Sequence, residues 1–171
     1  MTLREFRGSD AERIALLLNN RRISKNLKDC VPFPYTVTDA DKFIGFCQSE
    51  APQMTFVIEL EDELVGVIAL IPQKDIYRLS AEIGFWLGEP YWDKGIVTEA
   101  IKRMIHYAFD ELGLVRLYAG VFGDNPGSGE CLQKAGFKFE GILEKAVIKD
   151  GEMKDEFRYA LINPDWEEAT K

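Results

Sequence analysis

One stretch of the sequence could bind a phosphate group through its backbone. Residues 92–98 read W-D-K-G-I-V-T; they follow an apolar stretch and open a predicted helix near Lys94. The first N–H groups of a helix lack partners within it, and the positive end of the helix dipole attracts anions. Gly95 lets a ligand approach the backbone closely. The stretch predicts an anion-binding turn, and an ordinary strand-to-helix turn is the alternative.

Other familiar sites are excluded because their residues are missing. The chain has no GxxxxGK[ST] sequence, and no GxGxxG opens a helix, so binding of nucleoside triphosphates or dinucleotides is not expected. Its three cysteines, Cys30, Cys47 and Cys131, lie far apart in the sequence and form no CxxC pair. This spacing predicts neither a zinc site nor a disulfide framework, and no metal is expected.

The charge and length of the chain limit its partners and organisation. The 171 residues carry 21 Lys and Arg against 29 Asp and Glu, a net charge of −8. Such acidity disfavours binding to nucleic acid or to an anionic membrane and favours a cationic acceptor. No apolar run spans a membrane and the start does not resemble a signal peptide, which predicts a cytoplasmic location. The length predicts one domain over residues 1–171.

The elements that must position these residues follow from the hydrophobic patterns. We predict strands over residues 2–6, 54–60, 64–71, 80–87 and 115–121 and two closing strands around Asp150-Gly151. Helices are predicted from Ser9 or Asp10, over residues 21–27, from Thr38, over residues 95–112 and up to Gly136. The order predicts a mixed α/β sheet (an α+β arrangement) with helices on its faces. Residues 80–121 should form a right-handed parallel unit.

Two motifs carry a resemblance to a known family. Trp92 to Ala100 read W-D-K-G-I-V-T-E-A, and Asn125-Pro126-Gly127-Ser128 precede L-Q-K-A-G-F at residues 132–137. In this order and spacing they resemble the GNAT superfamily of N-acetyltransferases, above all the RimJ/RimL-type ribosomal-protein N-terminal acetyltransferases. The resemblance spans nearly the whole chain and implies a GNAT-like fold of about seven strands flanked by helices. Asp93 and Val97 depart from the family pattern, which has Gly and Gly or Ala there.

The resemblance also implies a cosubstrate, acetyl-CoA, and the residues that bind it. In this family the pantetheine arm hydrogen-bonds to the backbone of a strand that corresponds here to Phe85, Trp86 and Leu87. The pyrophosphate lies on the N–H groups of seven residues: Trp92, Asp93, Lys94, Gly95, Ile96, Val97 and Thr98. Asn125 resembles the amide that contacts the cofactor chain, although a turn residue before Pro126 is the alternative.

Two side chains are implied as catalytic. Glu82 lies where some GNAT enzymes carry a glutamate beside the thioester and could deprotonate the amine through water; a structural carboxylate is the alternative. Ser128, here also counted among the cofactor-binding residues, could protonate or hydrogen-bond the leaving thiolate, and a helix N-cap is its alternative. Leu132 occupies the place of the tyrosine that many GNAT enzymes use, and Tyr159 is a less favoured substitute.

The implied reaction is acetyl transfer to a primary amine, first of all the N-terminal α-amine of a protein or peptide. The alternatives are acetylation of a small amine, such as a polyamine, amino acid or aminoglycoside, and a non-catalytic acyl-CoA-binding module. Pro34, Tyr35, Glu82 and Tyr159 are expected to contact the acceptor, with a plain connector as the alternative for residues 32–36. We expect acidic residues to concentrate at the acceptor mouth. A homodimer is compatible with the sequence, which does not determine the oligomeric state.

Overall fold

The computed structural model describes residues 1–166, so the last five residues of the predicted domain lie outside it. The strands are β1 (Thr2–Arg4), β2 (Thr55–Leu60), β3 (Glu63–Pro72), β4 (Ser80–Leu87), β5 (Arg116–Phe122), β6 (Lys138–Lys149) and β7 (Glu152–Ile162). The α-helices are α1 (Ala11–Leu18), α2 (Arg21–Ser24), α3 (Val37–Gln48), α4 (Ile96–His106) and α5 (Pro126–Lys134). Helix α4 continues into a π-helical turn over Tyr107–Glu111, and Gly113 follows with a φ of 63°.

The seven strands form one mixed sheet in the order β1-β2-β3-β4-β5-β7-β6. The predicted fold class, a mixed sheet of about seven strands flanked by helices, is confirmed. Strand β4 is central, and its pairing with β5 is parallel, whereas the other neighbours pair antiparallel. The parallel pair places the carboxyl ends of β4 and β5 at one edge, where α4 and α5 begin.

Helices cover both faces of the sheet and bury two clusters of apolar side chains. Ile83 and Leu87 of β4 pack with Ile101 of α4 and Leu132 of α5 on one face, which we call the α4 face. Trp86 packs with α1 and α3 on the opposite face, the α1 face. Because side chains alternate along a strand, Glu82 lies on the α1 face with Trp86. None of the helices in the described part has the length and apolar character needed to span a bilayer.

The start of α3 differs from the sequence prediction. We expected Thr38 at the N-cap, but Thr36 occupies this position. The Thr36 hydroxyl accepts a hydrogen bond from the Asp39 N–H at 3.1 Å, and the Asp39 carboxylate accepts one from the Thr36 N–H at 2.9 Å. This capping box satisfies donors at the helix start, and the same exchange could not form from Thr38, which lies inside the first turn.

An ion-pair cluster joins the amino terminus to the sheet. The Arg4 guanidinium contacts both oxygens of Asp10, at 2.8 and 2.9 Å, and also binds Glu59 of β2. Burial alone would raise the pKa of Asp10, but hydrogen bonds from Arg4 and from the Arg7 N–H lower it below its usual value. A carboxyl group whose pKa is lowered by folding stabilises the folded state above its ordinary pKa of about 3.9 and loses that contribution in acid.

We predict that Asp10→Asn lowers the free energy of unfolding by about 2 kcal/mol at pH 7, because a buried charged hydrogen bond is lost. The deficit should be smaller at about pH 3 than at pH 7, because the stabilisation supplied by a lowered carboxyl pKa begins to be lost once the pH falls below the ordinary value of about 3.9. Urea unfolding at both pH values measures this change. Asp41→Asn, at an exposed α3 position with no ion pair among the described residues, is the matched control. An equal deficit at both pH values would contradict the account.

Candidate active site

Strands β4 and β5 separate after a short paired region. Their register comprises only Ser80 with Arg116, Ala81 with Leu117 and Glu82 with Tyr118. Within the described chain no further pair joins the two strands, although β4 continues to Leu87 and β5 to Phe122. A gap therefore opens in the middle of the sheet, and it widens toward the edge where α4 and α5 begin. We call it the β4–β5 gap.

The pairing of β4 with β3 decides which backbone groups face the β4–β5 gap. The Gly88 N–H donates to the Val65 carbonyl at 2.8 Å, and the Gln73 N–H donates to the Ser80 carbonyl at 2.9 Å. Because hydrogen-bonded pairs alternate along an antiparallel ladder, the even-numbered residues of β4 direct their backbone groups at β3. The odd-numbered residues, including Phe85 and Leu87, direct theirs at the gap.

This geometry corrects one expected cofactor contact. Trp86 was expected to offer its backbone to the pantetheine arm, but it is paired with Val67 of β3, so its N–H and C=O point away from the gap. The Leu87 carbonyl accepts a hydrogen bond from the Trp92 indole N–H at 2.8 Å. Phe85 therefore offers both its N–H and its carbonyl to the gap, while Leu87 offers its N–H.

The start of α4 presents backbone N–H groups at the same edge. Gly95 occupies the N-cap with a φ of 73°, and Asp93 has a φ of 60°. The first backbone hydrogen bond of the helix runs from the Glu99 N–H to the Gly95 carbonyl at 3.1 Å, so the N–H groups of residues 96–98 have no acceptor within the helix. The Trp92 N–H donates to the Glu89 carbonyl at 3.2 Å, which corrects its expected contact with the pyrophosphate. Residues 93–98 form what we call the N–H cradle.

The two departures from the family pattern leave the cradle open. Asp93 is exposed, and it adopts the left-handed conformation that glycine favours and that Asp tolerates. Ile96 and Val97 are each only 8% exposed, because their side chains pack into the core and leave only their backbone facing outward. A Cβ added at Gly95 would meet no atom within 4 Å. No side chain at these positions blocks the donors.

Acidic side chains near the cradle are mostly neutralised. Glu89 accepts hydrogen bonds from Arg22 and Asn20, and Glu99 pairs with Arg103 at 3.3 Å. Arg22 also lies over the Trp92 ring, 5.1 Å from its centroid. The Lys94 ammonium donates to the Pro90 carbonyl at 2.9 Å. Asp93 is the acid at this turn that has no ion-pair partner among the described residues.

The start of α5 lies at the same edge and carries the second motif. Asn125 is the N-cap residue, and its amide donates to the Ser128 hydroxyl at 2.9 Å. The alternative that Ser128 caps the helix is therefore wrong, because Ser128 is the third residue inside α5. Leu132 is fully buried, so its position offers no group to a ligand. Asn125 and Ser128 form a hydrogen-bonded pair at the N-terminus of α5.

Tyr159 lies on the α4 face, which corrects its expected contact with the acceptor. It pairs with Ala119 of β5, whose side chain packs in the cluster beneath α4 and α5. Its hydroxyl abuts Gly129, where an added Cβ would lie 2.6 Å from the Tyr159 oxygen. Glu82, by contrast, is in register with Tyr118 on the α1 face. Tyr159 therefore places its hydroxyl beside α5 at Gly129, on the opposite face of the sheet from Glu82.

Glu82 forms part of a charged cluster on the α1 face. Its two carboxylate oxygens lie 2.9 and 3.0 Å from the Lys28 ammonium. The neighbouring Tyr118 has a raised pKa because of burial and the nearby Glu82 charge, and the Arg158 guanidinium lies 4.8 Å from its ring centroid. The Glu82 side chain is 21% exposed, so solvent reaches it.

Two glycines follow the last residues that pair β4 with β5. Gly84 and Gly120 come two residues after Glu82 and Tyr118 and therefore lie on the same α1 face. A Cβ at Gly120 would lie 2.5 Å from the carboxylate of Glu156, which also pairs with Arg158. The sequence analysis missed Glu156, because only the β5–β7 register brings it to the gap. The two carboxylates on this face, Glu82 and Glu156, are each paired with a cation. The acidic residues that we expected at the acceptor end of the site therefore carry no free negative charge there.

The Pro34-Tyr35 segment is divided between surface and core. Tyr35 is 6% exposed and packs with α1 and α3, and burial raises its pKa to about 12. Its backbone N–H donates to the Asn19 side chain at 2.8 Å. This position corrects the expectation that Tyr35 contacts the acceptor, because its side chain is packed in the hydrophobic core. Pro34 is exposed and stays a candidate.

A groove of about 580 Å³ lies beside the cradle rather than at Glu82. It runs between α1 and the connection from β4 to α4, and its lining includes Arg13, Leu17 and Glu89 to Tyr91. Neither Glu82 nor Ser128 lines it. Within residues 1–166, no cluster of three or more His, Cys, Asp or Glu side chains is arranged to hold a metal ion.

The fold and these motifs agree with a family model. The model described as "Acetyltransferase (GNAT) domain" matches residues 1–138. The chain belongs to the GNAT family of N-acetyltransferases. Its last strands, β6 and β7, lie mostly or wholly beyond the matched region, yet β7 places Glu156 and Arg158 beside the β4–β5 gap and Tyr159 beside α5.

Individual relatives carry the names of acetyltransferases or probable acetyltransferases. The chain is 41% identical over 108 residues to the probable N-acetyltransferase YjcK of Bacillus subtilis, covering 63% of this chain and 60% of that one. It is 35% identical over 107 residues to the ribosomal-protein-serine acetyltransferase of Escherichia coli, covering 63% and 59%. The chain thus spans about three fifths of these two relatives.

Solved structures extend the likeness over the whole sheet. Mycobacterium smegmatis RimJ in complex with CoA-disulfide superposes with a TM-score of 0.82 at 25% identity, covering 94% of this chain and 80% of that one. The spermidine N-acetyltransferase from Vibrio cholerae, in complex with CoA and spermine, gives a TM-score of 0.78 at 26% identity, with 94% of each chain covered. Both neighbours were solved with CoA or a CoA derivative.

We predict that Gly95→Ala weakens both stability and CoA binding. The left-handed conformation costs an alanine about 1–2 kcal/mol, although the added methyl group meets no neighbour. Relaxing this strain would turn the N–H groups of the cradle, so the dissociation constant for CoA should rise. Urea unfolding and isothermal titration calorimetry measure the two effects.

Gly45→Ala is the matched control. Gly45 lies inside α3, is exposed, and has open space around its Cβ position. Alanine there should stabilise the protein by about 0.5–1 kcal/mol and leave CoA binding unchanged. If Gly95→Ala lost stability yet bound CoA like the wild type, the cradle would not hold the cofactor.

Proposed function

We propose that this enzyme transfers the acetyl group of acetyl-CoA to the N-terminal α-amine of a protein or peptide. The observation that carries the proposal is the β4–β5 gap: it connects the two faces of the sheet, has two helix starts at its open edge, and has Glu82 at its closed end. The likeness to RimJ and to the ribosomal-protein-serine acetyltransferase supports the choice of acceptor.

The cofactor would enter from the α4 face. Its pyrophosphate would accept hydrogen bonds from the N–H cradle, and its pantetheine arm would pair with the backbone of Phe85 and the N–H of Leu87 like an added strand. An arm that runs from the open edge along β4 brings the thioester toward Glu82, where the strands converge. Asn125 would contact the arm from α5.

Glu82 would act as the base for the acceptor. An α-amine of pKa about 8 must lose a proton at a cost of about 1.4 kcal/mol at pH 7, whereas a lysine of pKa about 10.4 costs about 4.6 kcal/mol. A carboxylate is a weak base, which suits an α-amine better than a lysine. An acceptor ammonium would compete with Lys28 for Glu82, and Glu156 provides a second carboxylate on the same face.

Ser128 and Tyr159 would assist the leaving thiolate from the α4 face. A thiol of pKa near 8.5 is a good leaving group and needs only modest help from an acid. The Ser128 hydroxyl accepts from Asn125, so its own proton can point toward the thiolate. Tyr159 places a second hydroxyl beside Gly129, in a role that its burial among the β5 and α5 side chains supports.

A small polyamine is the second candidate acceptor. The spermidine N-acetyltransferase from Vibrio cholerae shares the fold over 94% of this chain, and Glu82 and Glu156 would suit a polycation. Radiolabelled acetyl-CoA with three acceptors separates the candidates: a peptide with a free N-terminal serine, the same peptide blocked at its N-terminus but carrying a lysine, and spermidine. The proposal expects label on the first; label on spermidine alone would favour the second candidate.

We predict that Glu82→Gln lowers kcat by about 100-fold, a typical effect of losing a general base, and shifts the pH profile upward because free hydroxide must replace it. Steady-state rates between about pH 6 and pH 9 measure both effects. Glu12→Gln, an exposed change on α1, is the charge-matched control and should match the wild type. An unchanged pH profile in Glu82→Gln would remove Glu82 as the base.

We predict that Ser128→Ala and Tyr159→Phe slow turnover more than they weaken cofactor binding. Each change removes one hydroxyl from the α4 face while Asn125 and the N–H cradle remain. Comparing kcat with the CoA dissociation constant for each variant separates the two roles. If both variants turned over like the wild type, positioning of the reactants alone would account for the rate.

A further inference from the structure

One amine of the protein already occupies the acceptor side of the site. The Lys28 ammonium lies 2.9 and 3.0 Å from the two oxygens of Glu82, and its side chain is 65% exposed. The carboxylate that would take a proton from the acceptor is therefore in direct contact with a primary amine of the same chain. No other lysine is paired with Glu82 among the described residues.

The segment after α2 is held over the α1 face by further ion pairs. Asp29 pairs with Lys149 at 2.6 Å, and Arg21 at the start of α2 pairs with Asp150 at 2.7 Å. Lys149 and Asp150 belong to the end of β6 and its turn, so the segment bridges from Glu82 to the β6–β7 hairpin. These contacts fix Lys28 beside the closed end of the β4–β5 gap.

We propose that Lys28 is an acceptor in its own right, so that the enzyme acetylates itself at this residue. The inference rests on the proposed function, because the thioester must end near Glu82. The Lys28 ammonium gives one proton to Glu82, and the neutral nitrogen attacks the thioester carbonyl. The new C–N bond forms as the C–S bond breaks. The second nitrogen proton goes to the thiolate, which leaves as CoA with a free thiol, and Glu82 returns its proton to water.

The expected rate follows from the amine. Lysine has a pKa about 2.4 units above that of an α-amine, so roughly 250-fold less of it is neutral at pH 7. Self-acetylation should therefore be slow beside transfer to an N-terminal peptide, and it should stop at one acetyl group per chain. The reaction is intramolecular, so its first-order rate constant does not depend on protein concentration.

The test is incubation of the full chain with isotope-labelled acetyl-CoA and no other acceptor. The chain is then digested with a protease that does not cleave at lysine, and its peptides are analysed by mass spectrometry. The proposal expects label on Lys28 at least ten-fold above Lys25, an exposed lysine of the same segment that serves as internal control for uncatalysed acetylation. Labelling of Lys28 should keep the same rate constant over a ten-fold change in protein concentration.

Variants identify the chemistry. Glu82→Gln should reduce the labelling of Lys28 to the level of Lys25, while Lys28→Arg should abolish it and leave Lys25 unchanged. Equal labelling of Lys28 and Lys25, or a rate constant proportional to protein concentration, would overturn the proposal. Transfer to the serine peptide without label on Lys28 would overturn self-acetylation alone; no transfer to any amine would overturn the proposed function as well.

Discussion

The site depends on the early end of the pairing between β4 and β5. Three residue pairs hold the strands together, and beyond Glu82 and Tyr118 they part. Each strand remains fixed on its other side, β4 by β3 and β5 by β7, so the gap stays open without losing the sheet. Its consequence is a row of unpaired backbone groups in the middle of a rigid sheet, bordered by two helix starts. The catalytic proposal needs this gap, because it connects the α4 face with the carboxylates of the α1 face.

The acidity of the chain, with a net charge of −8, is compatible with an anionic cofactor because the donors are backbone groups. The N–H groups at the start of α4 do not depend on basic side chains, and the acids nearby, Glu89 and Glu99, are paired with arginines. On the opposite face, Glu82 is paired with Lys28, so an acceptor at this carboxylate would meet an ion pair rather than a free carboxylate. Apart from Asp93, the charges on both sides are thus balanced locally, and the net charge says little about either ligand.

The sequence predicted the positions of the helices and strands and the turn at the start of α4 well. It failed where a contact depends on the face of the sheet or on the register between strands. Apolar patterns located β4, α4 and the closing hairpin, and the W-D-K-G-I-V-T turn falls at the start of α4 as expected. The pattern could not tell that Trp86 turns its backbone to β3, because this depends on the alternation of the β3–β4 ladder. Nor could it place Tyr159 beside Gly129 or Glu156 over Gly120, since those contacts join residues 30 and 36 positions apart and depend on the β5–β7 register. The alternative that Ser128 caps α5 was wrong because Asn125 takes that position.

The central claim is that the β4–β5 gap and the N–H cradle receive acetyl-CoA. Backbone amide hydrogen exchange, followed by NMR with and without CoA, tests it most directly. The account predicts that the N–H groups of Phe85, Leu87 and residues 96–98 gain protection in the complex, while that of Trp86, already paired with β3, does not change. Protection confined to the groove between α1 and Glu89, with residues 85–87 and 96–98 unaffected, would contradict it.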